Sequence, residues 1–419
     1  MRKYIYYSTL MGVFSAALVY KAGINFRLFY LILLSNGLLI ALLVKSLRIP
    51  RWMVWMVAYL LLSGLVGIAR GTDDTGQFLK EFIGIVANAL FYYLFFRLYK
   101  NDYMRAFKTY ARISYVICII GFPILLFESL QGGESPRLHS IASEPAAFCE
   151  LVLPAYFWYA SNYLSQRKNG KEVLVFSLAI ALSASSLGYL SVAVGVFLLP
   201  FRRRSWLLIT PILVFLLLVS IYSVSSNFRM RFNDTMEALT VMQVSTSNVS
   251  TFSLVSNMIV TERVFQESPW IGNGLGSHVI SHHRLIGDVP GMESVTSDFW
   301  FDVNADEAGS LALRLLSEQG ILGLAIVLWF IARFHAGWHG QHAIISNALI
   351  TCFFLKLIRS GTYFGPEQFF FVFIYLLNYR SYKMAQTCRP AAKKALTLNQ
   401  VVRQTAISPG GKLIADSSS

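Results

Sequence analysis

The segment Trp52–Ala69, WMVWMVAYLLLSGLVGIA, runs without a charge between Arg51 and Arg70. A helix of about 20 apolar residues crosses the hydrocarbon core of a bilayer. In lipid a helix is favoured because it pairs every backbone polar group within its own segment. Runs of this kind recur along the chain. Of its 419 residues only 14% are charged and 55% are hydrophobic, whereas a soluble domain carries about 25% charge. The chain therefore reads as an all-α polytopic membrane protein, not a soluble body on one anchor. Twelve spans are expected, roughly at 4–20, 27–44, 52–69, 78–98, 110–128, 145–164, 173–187, 188–201, 205–224, 311–333, 343–358 and 367–379. The seventh and eighth are short and meet at a turn near Ser183 to Gly188. Met1 to Lys3 is a basic start to an ordinary span, without the small-residue cleavage site of a signal peptide.

One long polar stretch, about 225–310, interrupts the series before the tenth span. Charge places it. Lys and Arg collect in cytoplasmic loops of membrane proteins. With both termini cytoplasmic and an even span count, 24 of the 36 basic residues fall on one side. They include Arg2, Lys3, the turns at 45–51, 97–112, 167–171 and 202–204, Arg333 and the tail. The long stretch is then extracytoplasmic, in a multi-pass protein of the cytoplasmic (inner) membrane. A membrane domain over 1–379 is expected to be followed by a disordered cytoplasmic tail over 380–419, which is polar and lacks aromatics after Tyr382. The net charge of +14 follows from this topology and does not indicate nucleic acid. Cys118, Cys149 and Cys352 lie in apolar segments and Cys388 in the tail, so no disulfide framework is indicated.

Twelve basic residues fall on or near the outer side, among them Arg137, Arg229, Arg231, Arg263, Arg314, Lys356 and Arg359. One account of cations at that depth is an anionic ligand at the interface, such as a lipid-linked diphosphate, which matches the planar guanidinium. The other is local pairing or snorkelling to water. The loop itself is acidic, with ten carboxylates against four arginines, and carries Phe299, Trp300 and other aromatics. Carboxylates and aromatic faces suit sugars; nucleic acid would want a basic stripe.

Arg137-Leu-His-Ser-Ile-Ala-Ser-Glu-Pro-Ala-Ala-Phe148 opens the sixth span. Ser143 can cap it, with Glu144 in the first turn and Pro145 at the start. Alternatively Arg137 binds phosphate while Glu144 or His139 takes a proton, with His278 a further candidate base. His278, His282 and His283 match no zinc spacing. Asp302-Val-Asn-Ala-Asp306 begins like a calcium loop but fails at Glu307 and Leu313, so no metal or other cofactor is expected. Pro269-Trp-Ile-Gly-Asn-Gly-Leu-Gly276 is a glycine-rich turn suited to approaching a ligand or making a tight connection. If a helix begins near Ala305, then Glu307, Arg314 and Glu318 share one face. They form either a functional site or an internal ion pair.

In order along the chain come the Arg137 turn, the short spans around Ala184-Ser-Ser-Leu-Gly-Tyr189, the long loop, the Pro269–Gly276 turn and Ser317-Glu-Gln-Gly-Ile-Leu-Gly-Leu324. This order resembles the O-antigen polymerase and ligase superfamily, over about residues 110–335. The resemblance implies metal-independent glycosyl transfer on the outer face, from an oligosaccharide carried on polyprenyl diphosphate. Arg137, and Arg231 or Arg263, match arginines that hold the diphosphate or glycan there. Expected partners are the lipid-linked oligosaccharide, membrane lipid, a flippase and a chain-length regulator. Gly309-Ser310 replaces the His-Asn pair common in the ligases, and Val255 stands where an Arg is usual. The first departure favours a repeat-unit polymerase of O-antigen or exopolysaccharide. Ligase and flippase are the alternatives, although a flippase does not need so large a loop.

Overall fold

The computed structural model describes residues 1–15, 19–21, 25–44, 48–132, 136–198, much of 212–244, and 248–406. The chain is a helical membrane protein. Its helices are α1 Arg2–Gly12, α2 Leu28–Leu43, α3 Arg51–Ala69, α4 Thr75–Leu98, α5 Tyr103–Leu130, α6 Pro145–Gln166 and α7 Gly170–Leu182. There follow α8 Ser186–Leu198, α9 Ser226–Val241, α10 Val249–Glu267, α11 His278–Leu285, α12 Leu311–Arg333, α13 Gln341–Arg359 and α14 Gln368–Ala406. Among the described residues five helices are long and apolar enough to cross a membrane: α3, α4, α5, α12 and α13. They match five of the expected spans closely. The turn between the short pair α7 and α8 falls at Ser183–Ser185, as expected.

One expectation needs correcting. The first span was expected at 4–20, but the helix ends at Gly12 and strands Val19–Lys21 and Asn25–Arg27 pair antiparallel, Val19 opposite Arg27. Val19, Tyr20 and Phe26 favour such a hairpin, and an 11-residue helix is too short to cross. Helix α14 extends to Ala406, so the described residues include part of the expected tail, and the rest of that tail lies outside them. Helix α12 runs over the expected span 311–333, and the condition of a start near Ala305 is not met, because Ser310 caps the helix by accepting from Leu313 N at 3.3 Å. Glu307 is therefore off the helix. The ninth expected span, 205–224, lies largely outside the described residues.

Helix α13 occupies the centre of the bundle, packed by α6, α8, α12 and α14, while α4 and α5 brace α14. The long polar stretch is not a bare loop. Its helices α9 to α11 and three short 3-10 turns enclose a core of their own around Phe252, Val255, Val260, Ile286, Val289 and Met292. This cap joins the bundle where α10 packs along α12.

The Pro269–Gly276 turn docks on a kink in α12. Asn273 N donates to Ser317 O at 3.0 Å and Gly274 N to Glu318 O at 2.8 Å. In return Ile321 N donates to Pro269 O at 2.9 Å. The kink is at Gly320, whose φ of 62° is open to glycine without strain. This glycine-rich turn therefore makes a tight connection between two protein segments.

Candidate functional site

A cavity of about 630 Å3 lies between the bundle and the cap. Its walls come from the start of α6, the end of α13, the turns at 299–309 and the connection at 360–367. The last two segments pack so closely that a Cβ on Gly361 would overlap Glu307 O. Glycine at 361 thus lets the two walls meet.

The floor is charged. Lys356 Nζ, in the last turns of α13, lies against the carboxylates of Glu150 on α6 and Glu367, the latter at 2.5 Å. All three are buried. The lining also includes Arg359, one short turn beyond Lys356, and the carboxylates of Glu144, Asp302 and Glu307. Glu307 accepts a hydrogen bond from the Thr362 hydroxyl. Asp302 accepts from His283 Nε2 at 3.0 Å. Phe299, a largely exposed aromatic ring, is also part of the lining.

Glu144, not Ser143, is the N-cap residue of α6. Its backbone is extended, its side chain makes no capping bond, and it is exposed. Pro145 fixes the first helical position, where a missing N–H costs nothing. The carboxylate at 144 is therefore presented to the cavity and not spent on the helix.

Three of the expected site residues line this cavity: Glu144, Glu307 and Arg359. The others are placed elsewhere. Arg137 donates to Ser183 O at 3.2 Å and Ala184 O at 2.8 Å, so its cation sits at the C-terminal end of α7, where the helix dipole favours it. His139 bridges Ala142 O, at 2.8 Å, and Glu128, at 3.0 Å. His278 is fully buried between Ser317 Oγ, at 2.8 Å, and Asn257 Oδ1, at 2.9 Å. Burial, with His282 and Arg314 nearby, holds its pKa well below the ordinary imidazole value. Arg263 donates to Asp288 O at 2.8 Å. Arg229 is exposed on α9, and Arg231 shares that helix, its side chain outside the described residues.

Arg314 and Glu318 form an internal ion pair. Arg314 Nε lies 2.9 Å from Glu318, and Nη2 lies 3.0 Å from Glu81 on α4. Its guanidinium also donates to Gly361 O at 3.1 Å and stacks 4.3 Å from the centre of the Tyr363 ring. Arg314 thus clamps α4, α12 and the connection at 360–367, which makes part of the cavity wall. Beside this cluster, in the α3–α4 connection, Asp73 has its carboxyl pKa pushed up to about 7. Burial is the first cause, and the charges of Glu318 and Glu81 add to it.

Glu150, Lys356 and Glu367 were not grouped by sequence reasoning. The available signal was a lone charge inside an apolar run, which is a functional hypothesis by default in a membrane segment. Lys356 stands out in the sequence as a cation in an unfavoured place, but its partners do not. Among the described residues no group of His, Cys, Asp and Glu could hold a metal ion. No protein-family model matches this chain, and no curated protein matches it.

Proposed function

We propose that the chain is a polymerase of lipid-linked oligosaccharide repeat units, a multi-pass protein with the cap on the outer face of the cytoplasmic membrane. The observation that carries this reading is the cavity between the bundle and the cap. It combines a presented carboxylate, Glu144, with a cation, Arg359, and an exposed aromatic ring, Phe299. The order of the Arg137, Pro269–Gly276 and Ser317–Leu324 segments, which resembles the O-antigen polymerase and ligase superfamily, supports it.

In the reaction an acceptor sugar hydroxyl attacks the anomeric carbon of the donor. Glu144 takes the hydroxyl proton as the new C–O bond forms. The bond from the anomeric carbon to the diphosphate breaks, and polyprenyl diphosphate leaves with its electron pair. Arg359 stabilises the charge that develops on it. Glu144 is favoured over His139 and His278 because it alone of the three lines the cavity.

The test is the purified protein in nanodiscs with a synthetic polyprenyl-diphosphate-linked repeat unit. The expected result is a glycan ladder with release of polyprenyl diphosphate, insensitive to EDTA and lost in Glu144→Gln. Transfer of glycan to a lipid A-core acceptor in place of a ladder would make the chain a ligase. Movement of the unit across the bilayer with no bond formed would make it a flippase.

A further inference from the structure

We infer that the cavity accepts a neutral or amino-bearing saccharide and excludes one that carries carboxylates. This rests on the polymerase reading for its substrate, and it names the chemical class of the glycan. Five carboxylates line the cavity: Glu144, Glu150, Asp302, Glu307 and Glu367. Two cations, Lys356 and Arg359, oppose them. Ionised, the lining carries three negative charges in excess.

The distribution matters more than the count. Lys356 is held between Glu150 and Glu367, so the floor offers no positive charge to an incoming anion. Breaking either contact to serve a ligand would leave a buried carboxylate unpaired, which is strongly unfavourable. The rest of the charged lining is Glu144, Asp302 and Glu307 with Arg359. A sugar carboxylate entering there meets like charge in a partly enclosed site, where effective dielectric is well below that of water. Sugar hydroxyls, in contrast, can donate to several acceptor oxygens at once. Phe299 is an exposed ring at which a sugar C–H face can stack, and a sugar ammonium gains from the same ring and carboxylates. In this arrangement Arg359 is the residue that meets the donor diphosphate.

Binding to the protein in nanodiscs, by calorimetry, separates the possibilities with three probes of equal length. These are maltotriose, the fully deacetylated glucosamine trimer and trigalacturonate. Maltotriose and the glucosamine trimer should bind, and trigalacturonate should bind about tenfold more weakly or worse at low salt. Added salt should narrow that gap, because screening shortens the repulsion. The exposed-residue double variant Glu144→Gln/Asp302→Asn should narrow it too. Trigalacturonate binding as tightly as maltotriose, or no binding of maltotriose at all, would overturn the inference. None of these measurements needs turnover, so failure to polymerise and failure of charge selection are seen separately.

Discussion

Gly272 and Gly320 interlock: a Cβ on Gly272 would lie 2.4 Å from the Glu318 carbonyl carbon, and one on Gly320 2.4 Å from that of Trp270. Both have positive φ, 63° and 62°. Each glycine is required twice, by its own backbone and by the segment it faces. The contact joins the cap to the α12 helix that carries Arg314 and Glu318.

Gly320→Ala and Gly272→Ala should therefore each unseat the cap. The cost combines φ strain of about 1–3 kcal/mol with an overlap that only backbone movement relieves. Size-exclusion profiles and thermal unfolding of the detergent-solubilised variants measure it. Gly287→Ala, where a Cβ would meet open space, is the control and should behave as the parent. Equal stability of all three proteins would refute the interlock.

Lys356→Met should destabilise the bundle by about 3–5 kcal/mol, because removing one partner leaves uncompensated buried charge. The triple change Lys356→Met/Glu150→Gln/Glu367→Gln should recover much of that loss. Unfolding midpoints in a mild detergent read both. A single Lys356→Met with parental stability would show that the two carboxylates do not depend on the ammonium group.

Asp73 makes stability depend on pH in a direction opposite to most carboxylates. Its folded pKa, about 7, lies above the ordinary value of 3.8. The folded state then binds more protons than the unfolded state between those limits, so stability falls as pH rises from about 4 to 7. His282 acts the other way, since burial holds its pKa down to about 4 and stability is lost as pH falls from 6.5 through that value. The difference between parent and Asp73→Asn isolates the first effect. It should show the variant gaining relative stability as pH rises to 7, and a flat difference would remove Asp73 from the account.

Topology is tested by labelling single cysteines placed in a background lacking Cys118, Cys149, Cys352 and Cys388. Ser297 in the cap and Ser165 near the end of α6 are both exposed. In intact cells an impermeant maleimide should label Ser297→Cys and leave Ser165→Cys untouched until the membrane is opened. The reverse pattern would invert the orientation proposed from the basic turns.

The bundle was legible where an apolar run carried its own end signals. For α12, Ser310 caps the start and Arg333 stands at the end, and the expected and observed limits coincide. The first span was less legible, because Val19, Tyr20 and Phe26 suit a strand as readily as a membrane helix. The site divided the same way. Glu144, beside a proline at a helix start, was visible from local pattern. The pairing of Lys356 with Glu150 and Glu367 was not, because it joins segments distant in sequence that only packing brings together. Arg137 and Arg314 were legible as misplaced cations. Their use, at a helix end and in a clamp, depended on which carbonyls and carboxylates the fold delivered to them.

The central place of α13 has a consequence for how the protein is made. Of its apolar window 72% is buried inside the protein, against 22% for α3 and α5. It also carries Lys356 and Arg359 in its last turns. A segment with such flanks partitions poorly into lipid by itself, and its proper surroundings are other helices. Yet it leaves the ribosome after α6 and α8, between which it must settle. During biogenesis the earlier helices must keep a seat open for it, with Glu150 waiting for the lysine that neutralises it. Until α13 has been made, the growing chain carries Glu150 without the ammonium group that it pairs with in the finished protein.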